Sequence, residues 1–481
     1  MTPQRTLQLI GLMTLCACTR SATIVERSSH EPAIYPDYKG VCVPYNMAPL
    51  NFVVTDTTAD RLLIRAGDDE LTVEGDGRNG FDIDTDRWHD LLASHRGQTM
   101  TFTLCRRTDG GLAAYAPFEI TISEDDIDPC LVYRLIPPGY AMWNRMSITQ
   151  RNLETFDEEH IYENRYGQGN CVNCHSFCGN DAGRMLFHIR KRHGGTFIFI
   201  DGRPRRLGAD MSAQLSNPVY PYWHPGGRYV AFSTNKTFQL FHSSDANRIE
   251  VADDASDIVV YDVEADIVLT DSLIASADVF ETFPCFSPDG TSLYFASAKA
   301  VDGVETNYKS VKYSICRIGF DPERKTFGTS VDTLYNARLG GRSAVFPRVS
   351  PDGRLLVFTL SDYGTFPVWH RDADLYCIEL ASGATRALTE ANSDDTESYH
   401  SWSSNGRWLV FGSRRDDGLY TRPYFTHIDA GGNATKPLML PQRSPRDYYL
   451  MQNNSYNIPE LVKSRIDLNG RETYEALKRI W

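Results

Sequence analysis

The chain has 481 residues, with 49 Lys and Arg against 62 Asp and Glu and a formal charge of −13. That balance argues against a nucleic-acid partner, because phosphate binding needs a basic stripe and none is present. Aromatic residues at 11% with 35 Gly and 24 Pro suit strands joined by many tight turns.

Residues 1–18 read as a secretory signal. Arg5 precedes an apolar run from Leu7 to Leu15 that is too short to span a bilayer, which takes about 20 residues. The ending Leu15-Cys16-Ala17-Cys18 resembles a bacterial lipobox. It implies that Cys18 carries a lipid, making it the sole membrane attachment of a protein in the cell envelope. A soluble export signal is the alternative. Residues 19–39 are polar and are expected to be a tether. Nine cysteines follow the signal: Cys42, Cys105, Cys130, Cys171, Cys174, Cys178, Cys285, Cys316 and Cys377. Export permits disulfides, but the irregular spacing suggests that several of these are buried thiols.

From 40 to 135 the chain alternates short β-rich runs with turns, at 41–45, 51–55, 61–65, 70–73, 100–104 and 118–122. One short helix is expected at Trp88–Ser94. The pattern predicts a β-sandwich, immunoglobulin-like in strand density though without that fold's cysteine and Trp spacing. Pro137-Pro138-Gly139 interrupts it, and 136–168 is expected to be a helical or irregular connector.

Residues 169–481 carry a repeat. Four copies begin at Tyr220, Phe283, Phe346 and Tyr399, each with a tight turn that leads into an apolar strand: Phe283-Pro-Cys-Phe-Ser-Pro-Asp-Gly is one, Phe346-Pro-Arg-Val-Ser-Pro-Asp-Gly another. Pro presets φ, Asp bonds its own backbone and Gly accepts a positive φ. A fifth, degenerate copy runs from Cys174 to Phe187. A β unit repeated at 46 to 63 residues predicts a β-propeller with one blade per unit, hence five blades. The class is all-β. The Ser-Pro-Asp-Gly units resemble the WD40-like PD40 repeats of TolB-type propellers. Residues 130–460 resemble PD40 lipoproteins that often carry the label "cytochrome c biosynthesis protein". The resemblance implies a rigid platform that docks an envelope protein through a propeller face.

The degenerate copy contains Cys171-Val-Asn-Cys174-His175, the spacing of covalent haem attachment, in which two thiols add to the vinyl groups and His ligates the iron. Haem c for electron transfer or redox sensing is therefore one reading, with Met185, His188, His193 or His400 as the distal ligand. A Cys171–Cys174 disulfide in a cofactor-free scaffold is a second, and a metal site of Cys171, Cys174, Cys178 and His175 a third. Aligning His175-Ser-Phe with His400-Ser-Trp puts both histidines on inner strands, and a five-blade ring would bring them face to face. Glu281, Glu397, His224 and His400 are candidates for a channel-sited carbohydrate-active enzyme. No nucleophile elbow, zinc helix or P-loop occurs, so binding leads over catalysis.

Overall fold

The computed structural model describes residues 23–138, 145–167, 169–191, 193–208 and 218–480; the signal segment and Cys18 lie outside them. The turn that defines the repeat explains itself locally. In the copy that begins at Phe283 the Ser287 hydroxyl accepts from the Ser292 amide at 3.0 Å, the Asp289 carboxylate accepts from the Thr291 amide, and Gly290 takes φ 75°. Ser350 and Ser403 clasp the amides of Leu355 and Trp408 in the same way. Each clasp reverses the chain between the first two strands of an antiparallel, four-stranded sheet.

Five such sheets follow in sequence. Their inner strands are Cys171–Cys178 in blade I, Pro218–Trp223 in II, Val279–Phe286 in III, Ser343–Val349 in IV and Glu397–Trp402 in V. A sixth closes the ring. Its inner strand, Ser455–Val462, comes from the C-terminal region and pairs with Cys130–Ile136, which is followed by Ser147–Asn152 and Glu158–Glu163. The fold is all-β, and the propeller has six blades instead of the expected five. Residues 136–168, expected as a connector, supply two of its strands, and Cys130–Ile136 belongs to the propeller and not to the sandwich.

Every inner strand is bulged at one residue held in the left-handed region. These are Cys174, Tyr220, Phe283, Phe346, Tyr399 and Ile458, with φ between 50° and 55°. The ladder register shifts around each of them. A bulge re-aims its side chain, and here the aim is the hub. Rings of Tyr220 and Phe283 lie 4.3 Å apart, Phe283 and Phe346 3.9 Å, Phe346 and Tyr399 5.1 Å. Phe238 and Ala252, from the long hairpin of blade II, pack on the same cluster. This plugs the hub.

Residues 24–122 form two sheets of seven and three strands. Phe52 and Phe81 of the smaller pack on Phe118 of the larger within one core, so the expected sandwich is present. The helix Thr85–Ser94 is capped by Asp84 and buries Trp88, whose indole donates to the Met47 carbonyl. The sandwich core runs without a break into Trp408, Phe425 and Leu438 of blade V. Much of the expected tether is part of this body. Ile24–Arg27 pairs in the larger sheet and Tyr38 is fully buried.

Candidate functional site

Two residues past the bulge, the inner strands present Ser176, Tyr222, Cys285, Arg348, Ser401 and Glu460. All but Cys285, which is fully buried, line a cavity of ≈ 260 Å³ at the mouth of the hub. One residue further, Phe177, Trp223, Phe286 and Trp402 form an aromatic collar around it. The collar is also structural: the Trp402 indole donates to the Arg348 carbonyl at 3.1 Å, and Trp223 to the Ser176 carbonyl at 3.4 Å, each reaching the preceding blade. The cup is small, since pockets for drug-sized ligands run to about 300–1,000 Å³.

Its charge is concentrated on one arc. Arg348 lies with its guanidinium 5.0 Å from the Tyr222 ring centroid, donates to its neighbour's carbonyl, Pro347 O, and reaches the Cys285 thiol. Among the described residues no carboxylate comes within ion-pairing distance of it. Glu460, two blades away, has one carboxyl oxygen buried without a partner. Burial pushes its pKa up to about 8, against the pull of Arg348 and the Phe177 amide. Lys463 stands at the rim.

The Cys-x-x-Cys-His residues are elsewhere. His175 and His400 each follow a bulge, where the other four blades carry Pro221, Pro284, Pro347 and Pro459. The two rings do not face one another, because blade VI stands between blades I and V. Each is wedged against the preceding blade: His400 donates to Val357 O at 3.0 Å, and His175 faces the backbone of Val132 and Ile458. Burial lowers both pKa values to about 3, so both rings are neutral.

These residues do not fit a covalently bound haem. Cys171 and Cys174 sit on an extended strand that pairs along Asp181–Arg190, not at the start of a helix. The His175 ring is enclosed at 3% exposure and leaves no room for a porphyrin face. Of the other ligand candidates, Met185 is packed in the apolar cluster shared by blades I and VI, and the His188 ring is bonded to Thr196 Oγ1 at 2.9 Å. His193 is exposed in a turn. All nine described cysteines are free thiols, Cys171 and Cys174 included, and burial raises the Cys174 pKa, which disfavours a reactive thiolate. The Cys178 thiol points to the carbonyl of His224. Among the described residues no group of three or more His, Cys, Asp or Glu is arranged to hold a metal ion.

The enzyme candidates also separate. His224 is the turn clasp of blade II, standing where Ser287, Ser350 and Ser403 stand: its Nδ1 accepts from the Gly226 amide. Glu397 is held by Arg415, Ser393 and Ser413. Glu281 is buried with its pKa raised to about 8 by desolvation and Asp257. None of the four lines the cup. Sequence reasoning passed over Arg348 and Glu460. Aligning the six strands on their bulges would have found them, as the only charged residues at that register.

No family model and no curated protein matches the sequence. Solved structures with a likeness include an oligogalacturonate lyase in complex with manganese (11% identity, 64% of this chain and 73% of that one, TM-score 0.37). Others are the β-propeller domain of the Trilobed protease from Pyrococcus furiosus (8%, 69% and 79%, 0.34) and a prolyl endopeptidase (11%, 66% and 42%, 0.36). The chain thus spans less than half of the endopeptidase. The six-blade assignment rests on this chain's own strand pairing.

Proposed function

We propose that this is an exported binding protein whose propeller receives a ligand or a partner's side chain in the cup at the open end of the hub. The observation that carries the reading is the convergence of all six inner strands on one cavity, at a register where the six share no residue preference. Aromatic walls around a few polar groups are the usual make-up of a binding pocket. The repeats' resemblance to the PD40 units of TolB-type propellers supports a docking role in the bacterial envelope. The Leu-Cys-Ala-Cys18 ending supports a lipid anchor on Cys18. Residues 19–23 would then span about 20 Å at most, which holds the sandwich next to the bilayer.

Crystals soaked with aromatic fragments test the binding reading. Density is expected in the cup of the wild type and not in Ser401→Trp, whose indole fills it. Fragments that gather elsewhere in both proteins would remove the cup from consideration. For the anchor, mass spectrometry of membrane-extracted protein should show diacylglycerol on Cys18, lost in Cys18→Ala.

A further inference from the structure

What the cup recognises is set by the groups that line it, an inference that rests on the binding role proposed above. Three features narrow it. Arg348 stands at the wall of the cavity with no carboxylate within ion-pairing distance among the described residues, and a guanidinium offers a planar fork of donors matched to a carboxylate. Glu460, separated from it by Ser401 of blade V, has an oxygen with no partner. The opposite wall is apolar, built from Phe177, Trp223 and Phe286. The cup is sized for about one side chain with its attached polar group.

We infer that the cup binds a carboxylate carried on an aromatic or other apolar group, with the anion between Arg348 and Glu460 and the apolar part inside the collar. Glu460 takes part as a neutral acid that donates a hydrogen bond. The groups that face it are Arg348 from blade IV, Tyr222 from blade II and the Phe177 amide from blade I, with Lys463 just past the end of its own strand. Desolvation outweighs the cationic pull, so the carboxyl keeps its proton up to about pH 8. A second carboxylate then enters without like-charge repulsion. Lys463 at the rim adds attraction on approach.

Two sources present this chemistry, a free aromatic acid and the C-terminus of a polypeptide. Titration calorimetry on the whole mature chain at pH 6.5 compares N-acetylphenylalanine, its amide and phenethylamine, and then phenylacetate and N-acetyl-Gly-Phe. The acid is expected to bind at least about tenfold more tightly than the amide, and the amine not at all. Arg348→Gln should abolish that preference and Arg348→Lys keep part of it. Wild-type affinity should fall above pH 8, while Glu460→Gln, which always donates, holds its affinity to pH 9.

Tighter binding of N-acetyl-Gly-Phe than of phenylacetate identifies a polypeptide terminus; the reverse identifies a free acid. If amide and acid bind equally and Ser401→Trp removes both, the cup is a docking site but the carboxylate inference is wrong. If the amine binds best, Glu460 acts as an anion and the inference is wrong in sign. If Ser401→Trp leaves acid binding unchanged, both readings fall.

Discussion

At one end of the hub the bulged residues Tyr220, Phe283, Phe346 and Tyr399 meet ring against ring; two residues along the same strands, Ser176, Tyr222, Arg348, Ser401 and Glu460 surround a cavity. Both ends come from the same repeated strand with the same bulge. They differ in how much the six copies agree. The bulge position is aromatic in four blades, and the collar position is apolar in all six. Between them lies a register that reads Ser, Tyr, Cys, Arg, Ser and Glu. Packing imposes agreement on repeated positions, so a register that escapes agreement and also faces a cavity is the one the proposed binding role draws on. One end of the hub holds the ring together and the other is available to a ligand.

That contrast predicts different costs at the two ends. Phe283→Ala, in the fully buried plug, should destabilise by about 3–5 kcal/mol in a denaturant melt, with the cavity left behind adding to the lost burial. A plug that tolerates alanine would show that the closed end is not structural.

Between plug and cup sit His175 and His400, neutral in the fold and protonated in the unfolded chain below about pH 6.5. The unfolded state binds the extra protons, so stability is complete above pH 6.5 and falls as pH drops toward their folded values of about 3. Each ring should withdraw about 2 kcal/mol by pH 5. Melts of His400→Gln should therefore show a shallower acid loss than wild type. Identical pH profiles would contradict the wedged, neutral ring. Glu460 has the opposite sense: its raised pKa means the fold holds the extra proton, so its share of stability is lost between about pH 5 and 8 and Glu460→Gln removes that slope.

Smaller effects belong to the collar and the rim. Trp402→Phe deletes one interblade hydrogen bond and should cost about 1 kcal/mol. Lys463→Ala, exposed at the rim, should stay within about 0.5 kcal/mol of wild type while weakening carboxylate binding.

Much of this architecture was written in the turns. Ser-Pro-Asp-Gly is legible because a single local clasp, repeated at Ser287, Ser350 and Ser403, fixes each blade's first reversal. Blade VI has no such turn. Its inner strand, Ser455–Val462, and the partner Cys130–Ile136 are joined by the whole ring and not by a hairpin, so nothing local marks them; Ile458-Pro459, an echo of Phe283-Pro284, was the one available sign. That missing blade also misplaced His175 opposite His400. The Cys171-to-His175 spacing was legible as a string but not as a conformation, since the same five residues read alike on a helix and on a strand. Arg348 and Glu460 were opaque for a different reason. Each is ordinary in its own strand and becomes distinctive only when six strands are set side by side.

The seven tryptophans offer the most direct test of the two-ended hub. Trp223 and Trp402 line the cup, whereas Trp369 packs on the plug cluster beneath Arg414. In a titration of ¹⁵N-labelled protein with N-acetylphenylalanine, the indole N–H signals of Trp223 and Trp402 should shift together and saturate while that of Trp369 stays fixed. Movement of Trp369 with the two collar signals unmoved would place binding at the closed end and contradict the account.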